Sequence, residues 1–300
     1  MSFPCELSTL NECHALFAQK KQRTLLRSIE ASGVGLFSGQ EVRLRLCPNE
    51  EGTGIIFKRT DLPGHPQLPA HLDFIQGTPR CTVIGNGKMS IQTVEHLLAA
   101  LRAYEIDSVI IEISASEVPI FDGSSLKFVE MIEQAGVAEL SGYKRIVRIR
   151  EPLYWSQGDI HLVALPSDEF RVSYTLHYPH SSAIGTQFYS FVLSQDRFKK
   201  EVAPSRTFSV YEEIAPMIEK GLVKGGSLTN AVIIKENQIV NPEGLRFSDE
   251  MVRHKILDLI GDLSLVPVPF LAHIIAIRSG HSSNNAFAKE LYNQIKMECS

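Results

Sequence analysis

The chain has 300 residues, 44% of them apolar and 21% charged, with 30 basic against 34 acidic side chains and a net charge of −4. That balance excludes intrinsic disorder and a collagen-like repeat. It also lacks the basic excess from which nucleic-acid affinity is built. The length fits about two domains of ~150 residues, and a chain of this size buries a core without disulfide staples.

Five cysteines (Cys5, Cys13, Cys47, Cys81, Cys299) are scattered and never spaced CxxC. They read as reduced thiols, not as a zinc ribbon. Residues 1–20 show no basic-then-apolar signal pattern. The longest uncharged apolar run, residues 263–277, is broken by Pro267 and Pro269 and is shorter than the ~20 residues of a membrane span. The expectation is a soluble, cytoplasmic monomer without stable membrane insertion.

In chain order, residues 1–20 form a polar lead-in expected to be flexible. Residues 23–29 read as a strand, and Gly33, Gly35 and Gly39 lead to Val42-Arg43-Leu44-Arg45-Leu46, whose alternation marks a half-buried strand. Residues 50–88, rich in Gly and Pro with a short strand at Ile55-Ile56-Phe57, interrupt this half. A helix begins near Thr93, with Val94, Leu97, Leu98 and Leu101 on one face. A β-rich run at 108–113, the loop Asp122-Gly123-Ser124-Ser125 and an amphipathic helix up to Gly136 follow.

The second half repeats this plan. It opens with a strand at 145–150, a Gly158-Asp159 turn and a strand at 160–165. An insert at 206–240 holds a helix (211–220), a Gly221 stop and a strand (231–234). Ser248 is placed to cap the next helix, with Asp249 and Glu250 in its first turn and Val252, Leu259, Ile260 and Leu263 on its apolar face. A β-rich run to Ile277, a loop at 279–283 and a last helix close the chain. The pattern implies an α+β fold of two similar domains, 21–141 and 142–300, each a sheet packed with helices. Their inserts lie at about 50–88 and 206–240, excursions of the kind that sit at the surface or over a site.

Three constellations can carry chemistry. His254-Lys255-Ile256-Leu257-Asp258 puts an imidazole and a carboxylate one helical turn apart, a workable pair of zinc ligands. Asp262, a turn further on, can orient an imidazole. Alone, HxxxD is more often a solvated helix face. Thr93-Val94-Glu95-His96 sets a Glu beside a His; the two cannot both face a core that Val94, Leu97 and Leu98 already fill, so they point to solvent or to a site. HExxH is absent, which argues against a thermolysin-like peptidase. Ser279-Gly280-His281 places a His after a β-rich run, where a cap or surface role is the commoner one. Thr207 is a weaker signal, and Gly225-Gly226-Ser227 lacks the strand and helix of a P-loop.

Taken together, these segments resemble one family across residue 21 to the C-terminal helix. Lys21-Gln22-Arg23-Thr24-Leu25, Gly33-Val34-Gly35-Leu36, Thr93-Val94-Glu95-His96-Leu97-Leu98 and Pro119-Ile120-Phe121-Asp122-Gly123-Ser124 carry the likeness in the first half. Arg206-Thr207-Phe208, Gly244-Leu245-Arg246-Phe247, Val252-Arg253-His254-Lys255-Ile256-Leu257-Asp258 and Ser279-Gly280-His281-Ser282-Ser283-Asn284-Asn285 carry it in the second. The chain resembles the UDP-3-O-acyl-N-acetylglucosamine deacetylases, the zinc amidohydrolases of lipid A synthesis in Gram-negative bacteria.

The resemblance implies zinc ligated by His96, His254 and Asp258, with Glu95 as general base and His281 as general acid oriented by Asp262. It implies an oxyanion-stabilising Thr207 and a substrate-contacting Lys255. It also implies an active site between the domains and an apolar acyl passage in the second insert, where Phe208, Ile214 and Ile218 fall. The partner it implies is a nucleotide-sugar lipid substrate. Three positions depart from the family pattern: Phe37 replaces a usual His, Glu213 an Asp, and Arg278, a substrate-side position, a Lys. The competing readings are a zinc deacetylase for another N-acetyl sugar and an inactive scaffold relative.

Overall fold

The computed structural model describes residues 17–78 and 80–298. Its first half is built on a five-stranded sheet in the order Ile29–Val34, Glu41–Pro48, Val109–Ile113, Ile55–Arg59, Gln67–Pro69. The expected alternation holds: Val42, Leu44 and Leu46 are buried while Glu41, Arg43 and Arg45 are exposed. Helices α1 (Glu95–Ala103) and α2 (Leu126–Ala135) belong to this half.

The second half is built on a seven-stranded sheet. Its main path runs Phe17–Leu25, Val137–Arg148, Phe270–Ile277, Ile160–Leu165, Leu153–Gln157, and the hairpin Phe170–Tyr178/Gly185–Val192 joins alongside Phe270–Ile277. Helix α3 (Tyr211–Glu219) lies in the insert, and α4 (Glu250–Leu263) and α5 (His281–Glu298) complete the domain. The fold is α+β. No helix among the described residues is long and apolar enough to cross a membrane.

Several boundaries differ from expectation, each because strand pairing is settled far along the chain. Residues 23–29 are not one strand. The chain turns after Leu25, and Phe17–Leu25 pairs antiparallel with residues 137–147, in the other domain's sheet. This corrects the flexible lead-in for Phe17 to Lys20; residues 1–16, with Cys5 and Cys13, lie outside the described residues, as does Cys299. Ser141 and Gly142, the expected boundary, sit inside the continuous strand Val137–Arg148.

The Gly158-Asp159 turn joins Ile160–Leu165 to Leu153–Gln157, not to residues 145–150. The stretch 50–88 is only partly an excursion. Ile55–Arg59 pairs parallel with Val109–Ile113 and buries Phe57 completely, so it is integral to the sheet. Ile75–Gly77, Val83–Gly85 and Ser90–Gln92 form a separate three-stranded sheet. The second insert is close to its expectation, with a small sheet of Phe208–Val210, Val232–Lys235 and Gln238–Ile239 beside α3.

α1 and α4 pack against each other across the two halves, and one glycine sets how closely. A Cβ at Gly261 would fall 2.1 Å from the Glu95 carbonyl oxygen and 2.7 Å from its carbon. Only hydrogen at that position lets the backbone of α1 lie on α4.

Candidate active site

The approach of α1 to α4 brings the polar residues of both helices into one buried cluster. Glu95, His96, His254 and Asp258 are each no more than 4% exposed, and Asp262 is fully buried. Glu95 and His96 therefore do not face solvent. The chain enters α1 through Thr93, whose φ of +60° is strained for a β-branched residue and of the sort that collects at functional sites.

His96 Nε2 and His254 Nε2 lie 3.6 and 3.3 Å from Asp258 Oδ1, and all three donors fall within 4.8 Å of one another. The two imidazole rings stand nearly perpendicular, 5.0 Å apart. His254 donates from Nδ1 to the Ser205 carbonyl at 3.0 Å, which turns Nε2 toward the other donors. Burial lowers the pKa of His96, though Asp258 opposes it, and so favours the neutral imidazole, the form able to hold a metal. Burial would raise the pKa of Asp258, but His254, Lys255 and His281 hold it well below the usual value. Lys255 Nζ rests on Asp258 Oδ2.

An acid–base pair adjoins these donors. His281 Nε2 is 3.7 Å from Glu95 Oε1, and His281 Nδ1 donates to Asp262 Oδ2 at 2.9 Å. Burial, joined by the charges of Asp262 and Asp258 and opposed by His281, pushes Glu95 up to about 7. Burial works against the charged form of His281, yet Asp262, Glu95 and Asp258 lift it to about 9. The pair is thus set so that the carboxylate and the imidazolium coexist near neutrality. His281 is the first residue of α5, not a loop residue.

Asp262 is held from both domains. Thr82 Oγ1 donates to Asp262 Oδ1 at 2.6 Å, and Asn284 Nδ2 to Oδ2 at 2.8 Å. Asn285 in turn donates to Thr82 Oγ1 at 3.1 Å. Sequence reasoning assigns no role to Thr82, Asn284 or Asn285; the last two lie in the segment 279–285 that carries the family resemblance, the one signal that could have found them.

Ser248 does not cap α4, and its N-terminal Asp249 makes no side-chain cap bond but pairs with Arg253. Glu250 sits in the first turn as expected, and its carboxylate is also fully buried, accepting from Arg206 Nε at 2.9 Å and from the backbone N–H of Arg206 and of Arg246. That clamp fixes the start of the insert, where Thr207 and Phe208 follow.

A cavity of about 510 Å³ opens over the cluster, with Thr207, Phe208, Lys255, Arg278 and Phe37 on its walls. It adjoins a second cavity of about 410 Å³ that runs into the insert between Ile214, Met217, Ile218 and Val223; Phe37, Thr207 and Phe208 line both. Val210 borders the first cavity rather than the second, and Leu222 borders neither. Phe37 stands at the junction, its N–H held by the buried carboxylate of Glu117 at 2.8 Å. Glu213 pairs loosely with Arg80 at the rim.

Two α+β domains closing on a buried His, His, Asp donor set, with a Glu–His pair beside it, define a hydrolase with a metal-type site. The family profile of UDP-3-O-acyl N-acetylglycosamine deacetylases matches residues 22–293. The UDP-3-O-acyl-N-acetylglucosamine deacetylase of Chlamydia pneumoniae is 50% identical over 280 residues, covering 93% of this chain and 99% of that protein. Its counterpart in Chlamydia caviae is 49% identical over 273 residues, covering 91% and 97%. That of Chlamydia trachomatis serovar D is 47% identical over 279 residues, covering 93% and 97%. The chain belongs to the UDP-3-O-acyl N-acetylglycosamine deacetylase family.

Proposed function

We propose that this chain hydrolyses the N-acetyl group of a UDP-3-O-(3-hydroxyacyl)-N-acetylglucosamine, releasing acetate and the free amine in the committed step of lipid A synthesis, as a cytoplasmic, monomeric zinc enzyme. The observation that carries the reading is the meeting of His96, His254 and Asp258 with Glu95 and His281 at the floor of one cavity.

The donor set fits zinc. Ligand atoms at 2.0–2.2 Å around a tetrahedral ion stand roughly 3.3–3.6 Å apart, and the two Nε2–Oδ1 separations have that spacing. Bound there, zinc supplies Lewis acidity that polarises a carbonyl and acidifies water.

The protein's own groups supply the rest. Glu95, desolvated and short of protons only above about pH 7, takes a proton from the attacking water. His281, kept as imidazolium by Asp262, gives a proton to the departing amine nitrogen. The Thr207 hydroxyl, on the cavity wall, stabilises the oxyanion. Lys255 and Arg278 line the same cavity as cations for the anionic part of the substrate, and Phe208 packs on the sugar side. The acyl chain enters the apolar cavity between Ile214 and Ile218.

The test is acetate release by the purified protein from the 3-O-acylated UDP sugar and from UDP-N-acetylglucosamine. The acylated sugar is the expected substrate by a wide margin. Release from neither compound refutes the activity, and equal release refutes recognition of the acyl chain.

A further inference from the structure

α1 meets one cavity with its first residues and a different one with its last. Arg102, in its final turn, lines a crevice of about 760 Å³ between the two domains, which shares no lining residue with the cavities at Glu95 and Ile214. The Arg102 guanidinium lies 4.3 Å from the centre of the Phe170 ring and 4.7 Å from that of Phe270. Among the described residues no carboxylate or carbonyl accepts from it. The acids of the crevice are engaged by other cations: Glu105 by Lys20 and Arg23, Asp107 by Lys144, and Glu169 by Arg171.

Ring faces and the C-terminal end of a helix favour a cation, but neither accepts from the five N–H donors of a guanidinium. Burial alone accordingly pulls the Arg102 pKa down to about 10. Arg102 is half-buried, its guanidinium against two rings and without a protein acceptor among the described residues, so its donors are free to meet a ligand that enters the crevice. The walls beside it are apolar: Phe170, Phe270, Ile106, Val266 and Leu271.

We propose that this crevice is a second ligand site, for an amphipathic anion: a carboxylate carried on an alkyl chain of medium length. The carboxylate takes the Arg102 fork side by side, the arrangement in which arginine holds such groups best. The chain lies against the apolar walls. The site is independent of the hydrolytic reading, since no residue is common to the two.

The experiment titrates sodium octanoate, octan-1-ol and acetate into the full-length protein, with binding read by calorimetry. Octanoate is expected to bind roughly tenfold or more tightly than octanol, the size of a charge-assisted hydrogen bond pair, and acetate weakly. Arg102→Gln should reduce octanoate to the octanol level with turnover retained. Gln195→Trp, at an exposed rim position, should weaken octanoate while leaving Arg102 in place, which keeps the test decisive if the first variant fails to fold. Octanoate bound equally by wild type and Arg102→Gln overturns the proposal, as does equal binding of octanol and octanoate. Binding that survives Arg102→Gln but is lost in Ile214→Asp overturns it too, because the anion then occupies the insert's passage.

Discussion

Replacing Gly261 with Ala is the sharpest probe of how the site is assembled. The new methyl group would lie 2.1 Å from the Glu95 carbonyl oxygen, 2.7 Å from its carbon and 2.8 Å from its Cα, all of them backbone. No side chain can swing aside, so α1 must retreat by about 1.3 Å to reach ordinary contact at 3.4 Å. That shift moves Glu95 and His96 away from His281, His254 and Asp258, which sit on α4 and α5. A displacement near 1 Å from productive geometry lowers rate by roughly 100-fold, or about 2.7 kcal/mol in the barrier. Overpacking of this kind destabilises by about 1–3 kcal/mol, a loss of several degrees in Tm for a chain of this size. The assay pairs kcat/KM for acetate release with a thermal melt. A Gly261→Ala protein with wild-type kcat/KM and Tm would refute the claim that this contact sets the cluster.

Removing the charge of Asp262 tests the acid. A proton donor must be protonated, and Asp262 is foremost among the groups holding His281 up to about 9. In Asp262→Asn the basic limb of the kcat/KM profile should therefore move down by roughly one pH unit or more, while the acidic limb, set by Glu95 near or below 7, moves less; an unmoved basic limb refutes the assignment. For the passage, each methylene removed from the 3-O-acyl chain should weaken productive binding by up to ~0.8 kcal/mol, appearing in kcat as well as KM. Changing Ile214 and Ile218 together to Asp should flatten that dependence, and equal rates across the series in wild type would show that no chain is enclosed.

What the sequence made legible follows from how local the signal is. Alternation at Val42, Leu44 and Leu46 and the helical spacing of His254 and Asp258 are properties of a few consecutive residues, and both persist in the fold. Partners chosen across the chain left no such mark. Residues 23–29 carry one continuous strand pattern, yet Arg23 pairs opposite Glu139 while Ile29 pairs opposite Leu46, in separate sheets. The hairpin of Phe170–Tyr178 and Gly185–Val192 lacked a short turn to announce it. Glu250 obeys the rule for an acid in a first helical turn, and its real partner, Arg206, is 44 residues away. Thr82 meets Asp262 across 180 residues. The donors could be proposed from spacing and resemblance; the hydrogen bonds that aim them depend on the closure of two domains, which spacing does not encode.

The most direct test of the central claim is a metal titration of turnover. The protein stripped with a chelator should release no acetate from the 3-O-acylated UDP sugar, and activity should return as zinc approaches one per chain. Asp258→Ala, which lacks one of three protein donors, should bind zinc far more weakly and recover little. Full acetate release by the stripped protein, or wild-type zinc content and activity in Asp258→Ala, would contradict the account.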